Sequence, residues 1–326
     1  MVVPVFGADL FAAGDAAAAE LARGIELAGT LGARCVSLTG LIPAATDFGR
    51  ALKHRHGGPA LTTGHATTAA AKVLSIATML EQADRRLEDE AAAFVGLGSI
   101  GQATLRLMLD QAGHPAMLTL CDLPAKRPML EALAEELRRD LGYHGRVVIA
   151  TAAGRAPDAA YSATLLVGAT NLPDVVDVAR LAPGTLVVDD SFPPCLSVPA
   201  AAARLRTRGD ILFTAGGFVR APGRITRAIA LPPPAARFAG HAGLRRALGK
   251  RVPDEITGSI LSALLSVVRP DLPAQLGPVG LEACRAHLHA LRALGFGAAS
   301  LGTDAIAPTQ VEIAAFRQRF GALDAA

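Results

Sequence analysis

Six residues, Gly96-Leu97-Gly98-Ser99-Ile100-Gly101, constrain this chain more than any other stretch. A short apolar strand over 92–95 runs straight into them, and a helix to about residue 112 follows. In such a strand–turn–helix unit the first glycine permits the tight turn. The second lets backbone approach a ligand, and the third lets helix and strand pack closely. The helix start offers free N–H groups and the positive end of its dipole, which suit a pyrophosphate. The next strand, predicted over 116–121, ends at Asp122, 26 residues after Gly96. A carboxylate there accepts hydrogen bonds from the ribose hydroxyls of NAD and repels the 2′-phosphate of NADP. Lys126 and Arg127 follow closely and could pair with that phosphate instead. The expected cofactor is NAD or NADP, with NAD favoured.

The surrounding pattern extends the unit into a domain. Apolar runs over 146–150, 163–168, 185–188 and 211–214 bring the strands to about six, separated by helical stretches. That alternation predicts an α/β chain with a Rossmann-type, doubly wound parallel sheet over about 89–222. Residues 1–88 read as a smaller α/β domain: a strand over 2–6, a helix over 15–31, a strand over 33–41, and a long Ala-rich helix from His65 to about residue 90. Residues 223–326 are punctuated by Leu231-Pro232-Pro233-Pro234. They show helices over 253–268 and 280–294, no strand signal, and are expected to pack back on the first domain. Loops at the carboxyl ends of parallel strands bind ligands. Thr170 and Asn171 after one strand, and Gly216 and Gly217 after another, are therefore further candidates for the nicotinamide end.

Composition narrows the class. The chain has 326 residues, 51% hydrophobic and 19% charged, which is a globular profile. A net charge of +3 gives no argument for nucleic acid or an anionic membrane. No leader-like segment, uninterrupted apolar span or CxxC pair is seen, so the expected setting is the cytoplasm, without membrane span or zinc ribbon. His54 and His56, beside Lys53 and Arg55, read as a solvated loop rather than metal ligands.

Four segments together resemble the cyanobacterial-type long-chain acyl-[acyl-carrier-protein] reductases. They are Val36–Leu41, Leu61-Thr62-Thr63-Gly64-His65-Ala66-Thr67-Thr68-Ala69, the glycine loop itself, and Asp189-Asp190-Ser191-Phe192-Pro193 with Ala215–Val219. The second is the most distinctive. More distantly, the layout resembles shikimate dehydrogenases and methylene-tetrahydromethanopterin dehydrogenases. The first resemblance implies reduction of an acyl thioester to an aldehyde through an acylated cysteine, with an acyl carrier protein as partner. The matching stretch after the Rossmann domain, residues 254–262, contains no cysteine.

Two chemistries stay open on the residues themselves. A thiolate attacks thioesters well. Cys195, beyond the end of a strand on the cleft side, is the candidate nucleophile, while Cys35, Cys121 and Cys284 read as small core residues. Otherwise hydride reaches a thioester, ketone, aldehyde or imine directly. Either way a proton donor is needed. His65, at a helix start facing the expected interdomain cleft, is the leading candidate. Thr67, with Thr63 and Thr68, is expected to orient substrate or cap the helix. A nucleotide-sensing module without turnover is the non-enzymatic alternative, and a homo-oligomer is compatible with either.

Overall fold

The structure is a computed structural model that describes residues 7–53, 57–226, 237, 240, 254–303 and 306–322. The strand expected over 2–6, the His54/His56 loop and the Leu231–Pro234 punctuation lie outside the described residues.

The glycine loop sits where its spacing predicts. Strand β3 (Ala91–Val95) leads into it and α5 (Ser99–Gln111) leaves it. Four more elements follow: β4 (Met117–Asp122), α6 (Arg127–Leu141), β5 (Arg146–Thr151) and β6 (Leu165–Gly168), with only a short 3-10 turn over Asp158–Ser162 between the last two. Then come β7 (Thr185–Asp189), α7 (Val198–Arg208) and β8 (Ile211–Ala215). The six strands lie in the order β5-β4-β3-β6-β7-β8, every neighbour parallel. This is the doubly wound order, with the direction of winding reversing between β3 and β6. Both faces are covered, so the middle strands read as continuous apolar runs; Phe94, Leu120 and Val187 are fully buried.

The first segment is smaller. Helices α1 (Gly7–Ala12) and α2 (Gly14–Thr30) precede β1 (Cys35–Ser37) and α3 (Ile42–Ala45), and β2 (Ala60–Thr62) pairs parallel with β1. The strand expected over 33–41 is thus only three residues long, and β2 gave no sequence signal. Leu10, Leu21, Ile25, Leu38, Leu52 and Leu61 form a separate core there.

Helix α4 (His65–Ala83) is buried along most of its length. It shares the core of the large sheet rather than that of the first segment. It ends at Ala83, not near residue 90, because Asp84 adopts a left-handed conformation (φ 54°) that closes the helix. Three C-terminal helices pack around it: α8 (Gly258–Val268), α9 (Leu281–Ala293) and α10 (Gln310–Phe320). Helix α8 also packs on β1 and β2. The C-terminal segment is not free of strands. β10 (Glu255–Thr257) and β11 (Gly297–Ala298) flank β9 (Phe218–Arg220) in an antiparallel sheet. Three and two residues are too few for alternation to register in sequence. Among the described residues no helix is long and apolar enough to cross a membrane.

Candidate functional site

A cleft of about 320 Å³ opens at the carboxyl ends of β3, β4 and β6. Its opposite wall comes from the first segment, through Leu41, Pro43, Ala44 and Phe48. This is the reversal point of the sheet, where ligands of such folds bind.

The three glycines of the loop have distinct geometry. Gly96 has φ +90°, and a Cβ on it would meet the Ala169 carbonyl oxygen at 2.5 Å. The loops after β3 and β6 therefore touch, and only glycine fits. A Cβ on Gly101 would lie 2.1 Å from the Gly96 carbonyl oxygen, so the third glycine sets the helix–strand approach. A Cβ on Gly98 would meet nothing within 4 Å. Gly98, Ser99 and Ile100 line the cleft at the start of α5. The first N–H groups of a helix have no partner within it. The loop is thus an open cradle with unsatisfied donors, which fits a pyrophosphate.

Asp122 closes one side of the cradle. Its carboxylate accepts from the Leu97 N–H (2.8 Å) and the Leu123 N–H (2.8 Å), and pairs with Lys126 Nζ at 3.1 Å. A carboxylate has about four lone-pair positions, so capacity for a ribose hydroxyl remains. Lys126 is drawn onto Asp122 and weakens, without abolishing, its repulsion of a 2′-phosphate. Thr170 and Asn171 line the same cleft, with the Thr170 N–H held by Ser191 Oγ at 2.9 Å.

His65 lines the cleft on the cradle side. Its Nδ1 is hydrogen-bonded to Ser99 Oγ at 2.8 Å, and its ring stands edge-on to Phe48. Burial lowers its pKa to about 4, so the ring is neutral. The cause is desolvation by burial. The imidazole couples the first segment to the phosphate loop.

Other expected site residues fall elsewhere. Thr67 is fully buried, and its hydroxyl is hydrogen-bonded to His287 Nδ1 of α9 at 2.9 Å; it does not line the cleft. No threonine caps α4, because its N-cap is Gly64. Cys195 is fully buried, and burial, reinforced by Asp189, pushes its thiol well above the ordinary value. A nucleophilic thiolate does not form in such a place. Cys121 borders the cleft, but burial pushes its thiol up to about 12. Gly216 and Gly217 lie behind the cleft wall rather than in it. A Cβ on Gly217 would fall 1.8 Å from Asp190 Oδ1, and one on Gly216 would fall 3.2 Å from Lys72 Cγ.

Those contacts expose what sequence reasoning missed. Asp190 lines the cleft, and Lys72 of α4 is wholly buried behind it. The available signal was a lysine set in the apolar helical run Ala69-Ala70-Ala71-Lys72-Val73-Leu74. Among the described residues no cluster of metal-ligating side chains occurs.

No family model matches the chain. Among solved structures it is similar to a Δ1-pyrroline-2-carboxylate reductase from Thermococcus litoralis, solved with NADH and L-proline. The identity is 16%, over 37% of this chain and 36% of that one, with a TM-score of 0.28. It is also similar to an L-tryptophan dehydrogenase from Nostoc punctiforme, at 16% identity over 61% of this chain and 54% of that one, with a TM-score of 0.37. The chain thus spans about half or less of these neighbours.

Proposed function

We propose that the protein is an NAD(P)-dependent oxidoreductase that moves a hydride directly between the cofactor and the carbon of a C=O or C=N bond. The observation that carries this reading is the open glycine cradle with Asp122 at the reversal point of the sheet, facing a second, largely apolar wall. A bound nicotinamide would supply the hydride. Gly96 to Gly101 hold its pyrophosphate, Asp122 its adenosine ribose, and Thr170 and Asn171 its far end. A covalent acyl-enzyme is disfavoured, because the thiol that borders the cleft, Cys121, and the candidate nucleophile Cys195 are both held protonated by burial.

The test is a panel of acyl-carrier-protein and acyl-CoA thioesters, 2-oxo acids, ketones, aldehydes and cyclic imines, followed by NADH and NADPH absorbance. Reduction of at least one class without a hydroxylamine-trappable acyl-enzyme is expected. Tight NADH binding with no member reduced would reject the enzyme reading and leave a nucleotide sensor. A trapped acyl group would return the mechanism to the acyl-carrier-protein reductase type.

Two substitutions probe the cofactor side. Asp122→Ala removes the ribose acceptor and the Leu97 anchor together, so affinity for both cofactors falls. NAD suffers more, because a hydrogen bond to a charged group contributes about 1.5–3 kcal/mol. The NAD/NADP preference should shift toward NADP by roughly tenfold or more in kcat/KM. Unchanged selectivity removes Asp122 from ribose recognition. His65→Ala should raise KM for the cofactor and leave kcat at saturation nearly intact, since the ring holds Ser99. A fall in kcat alone would restore His65 as the proton donor.

A further inference from the structure

A fully buried lysine inside a helix calls for a reason, since burying an unpaired ammonium costs several kcal/mol. Lys72 is 0% exposed. Its Nζ donates to the Gly168 carbonyl at 2.7 Å, at the end of β6. The same carbonyl accepts the backbone N–H of Asp190 at 3.1 Å. The lysine head and the Asp190 backbone thus share one anchor at the carboxyl edge of the sheet.

The two neighbouring aspartates are used differently. Asp189 is engaged: Oδ1 accepts the Ser191 N–H at 3.0 Å and Oδ2 the Cys195 N–H at 2.9 Å. No described group donates a hydrogen bond to the Asp190 carboxyl, which borders the cleft. Gly217 leaves the room that Asp190 occupies, since a Cβ there would fall 1.8 Å from Asp190 Oδ1, while one on Gly216 would collide with Val188 Cγ1 at 2.6 Å and press on Lys72 Cγ at 3.2 Å.

We propose that Asp190 is the proton donor and acceptor of the hydride-transfer reaction, and that Lys72 is the positioning residue that holds Asp190's charge from behind. The proposal rests on reading the cleft as a hydride-transfer site. As hydride reaches the electrophilic carbon, the π pair passes to oxygen or nitrogen. That atom takes the Asp190 proton, so the O–H bond of the carboxyl breaks and a new O–H or N–H bond forms. The substrate is reduced by two electrons and the cofactor oxidised by two. Asp190 is left as a carboxylate facing Lys72 and regains a proton from solvent through the cleft. In the oxidative direction the same carboxylate accepts the proton.

The electrostatics agree with that role. Burial pushes the Asp190 carboxyl up to about 7, Lys72 pulls it down, and Asp189 raises it further. Both forms are then populated near neutrality, where a general acid–base works best. Burial lowers the Lys72 pKa, opposed by Asp190, Asp189 and Cys195.

The experiment uses full-length Asp190→Asn and Lys72→Met, with three readouts: NADH binding by fluorescence, the pH profile of kcat, and infrared titration of ¹³C-labelled aspartate in the cofactor-free protein. Asp190→Asn should lower kcat by about 10²–10⁴-fold. Its NADH affinity should stay within about twofold. A carboxyl band titrating near pH 7 in the wild type should vanish in Asp190→Asn. Lys72→Met should move that midpoint up by about 1 pH unit or more, because a facing cation is lost. The infrared measurement on the wild type stands even if Lys72→Met fails to fold. Wild-type kcat in Asp190→Asn with NADH bound, or no aspartate titrating between about pH 6 and 8, overturns the pair alone. A wild-type protein that binds neither NADH nor NADPH overturns the oxidoreductase reading, and the proton-transfer role with it.

Discussion

Replacing Gly101 with alanine will raise the dissociation constant for NADH and NADPH by at least about 100-fold, equivalent to roughly 2.7 kcal/mol, and will lower the melting temperature. The new methyl carbon would sit 2.1 Å from the Gly96 carbonyl oxygen, which is backbone and cannot rotate away. Helix α5 must therefore move off β3, and its first N–H groups move with it. Overpacking of this kind costs about 1–3 kcal/mol of stability, and the cradle geometry is lost besides. Gly98→Ala separates the two effects. Its methyl would meet open space, and its backbone, with φ −72°, accepts a side chain. The melting temperature should then hold while cofactor affinity falls about tenfold, as the methyl crowds the phosphates. A fluorescence titration beside a thermal scan on both variants decides the matter. Unchanged binding in Gly101→Ala would mean that the loop is only a tight turn.

The difference between these glycines was legible in sequence because it is local. Turn, approach and packing follow from three positions within six residues, flanked by a strand and a helix. The six strands of the large sheet were legible for the same reason, since each is an apolar run bounded by turn residues. Lys72 was not. Nothing in its neighbours says that the helix carrying it is enclosed by a sheet on one side and C-terminal helices on the other. That burial arises from neighbours such as Gly168, which accepts the lysine's hydrogen bond, and Gly216, which packs beside its stem, roughly a hundred or more positions away. Thr67 misled in the same way: its place beside His65 suggested a hydroxyl that orients substrate or caps the helix, yet its partner, His287, is 220 residues distant. The Asp189-Asp190 pair shows the limit most sharply. Identical side chains at the end of β7 alternate in direction, one toward the Ser191 and Cys195 amides and the other toward the cleft. The sequence names both residues and does not say which is free.

Burial of titratable groups also sets how the fold responds to acid. The rings of His65 and His287 titrate near 4 in the folded chain, against an ordinary value of 6.5, in both cases because they are desolvated. Between these values the unfolded chain binds more protons than the folded one. Stability therefore falls as pH drops from about 6.5 to about 4, and this contribution levels off below 4. Each imidazole accounts for roughly 3 kcal/mol at full effect. Asp190 runs the other way. Its folded value near 7 lies above the ordinary 3.8, so its protonated form stabilises the fold as pH falls from about 7 toward 4. In the wild type it offsets much of the histidine effect. Asp190→Asn removes that offset, and the variant should lose roughly 6 kcal/mol between pH 7 and 4. That is comparable to the whole stability of many domains, about 5–15 kcal/mol. Adding Thr67→Val and His287→Leu together, so that neither partner is left with an unpaired polar group, should halve the loss. Urea midpoints across this pH range provide the measurement. An acid slope that stays the same after the added pair would show that His287 titrates alike in the folded and unfolded chain, and that its enclosure beneath α4 leaves it accessible to protons.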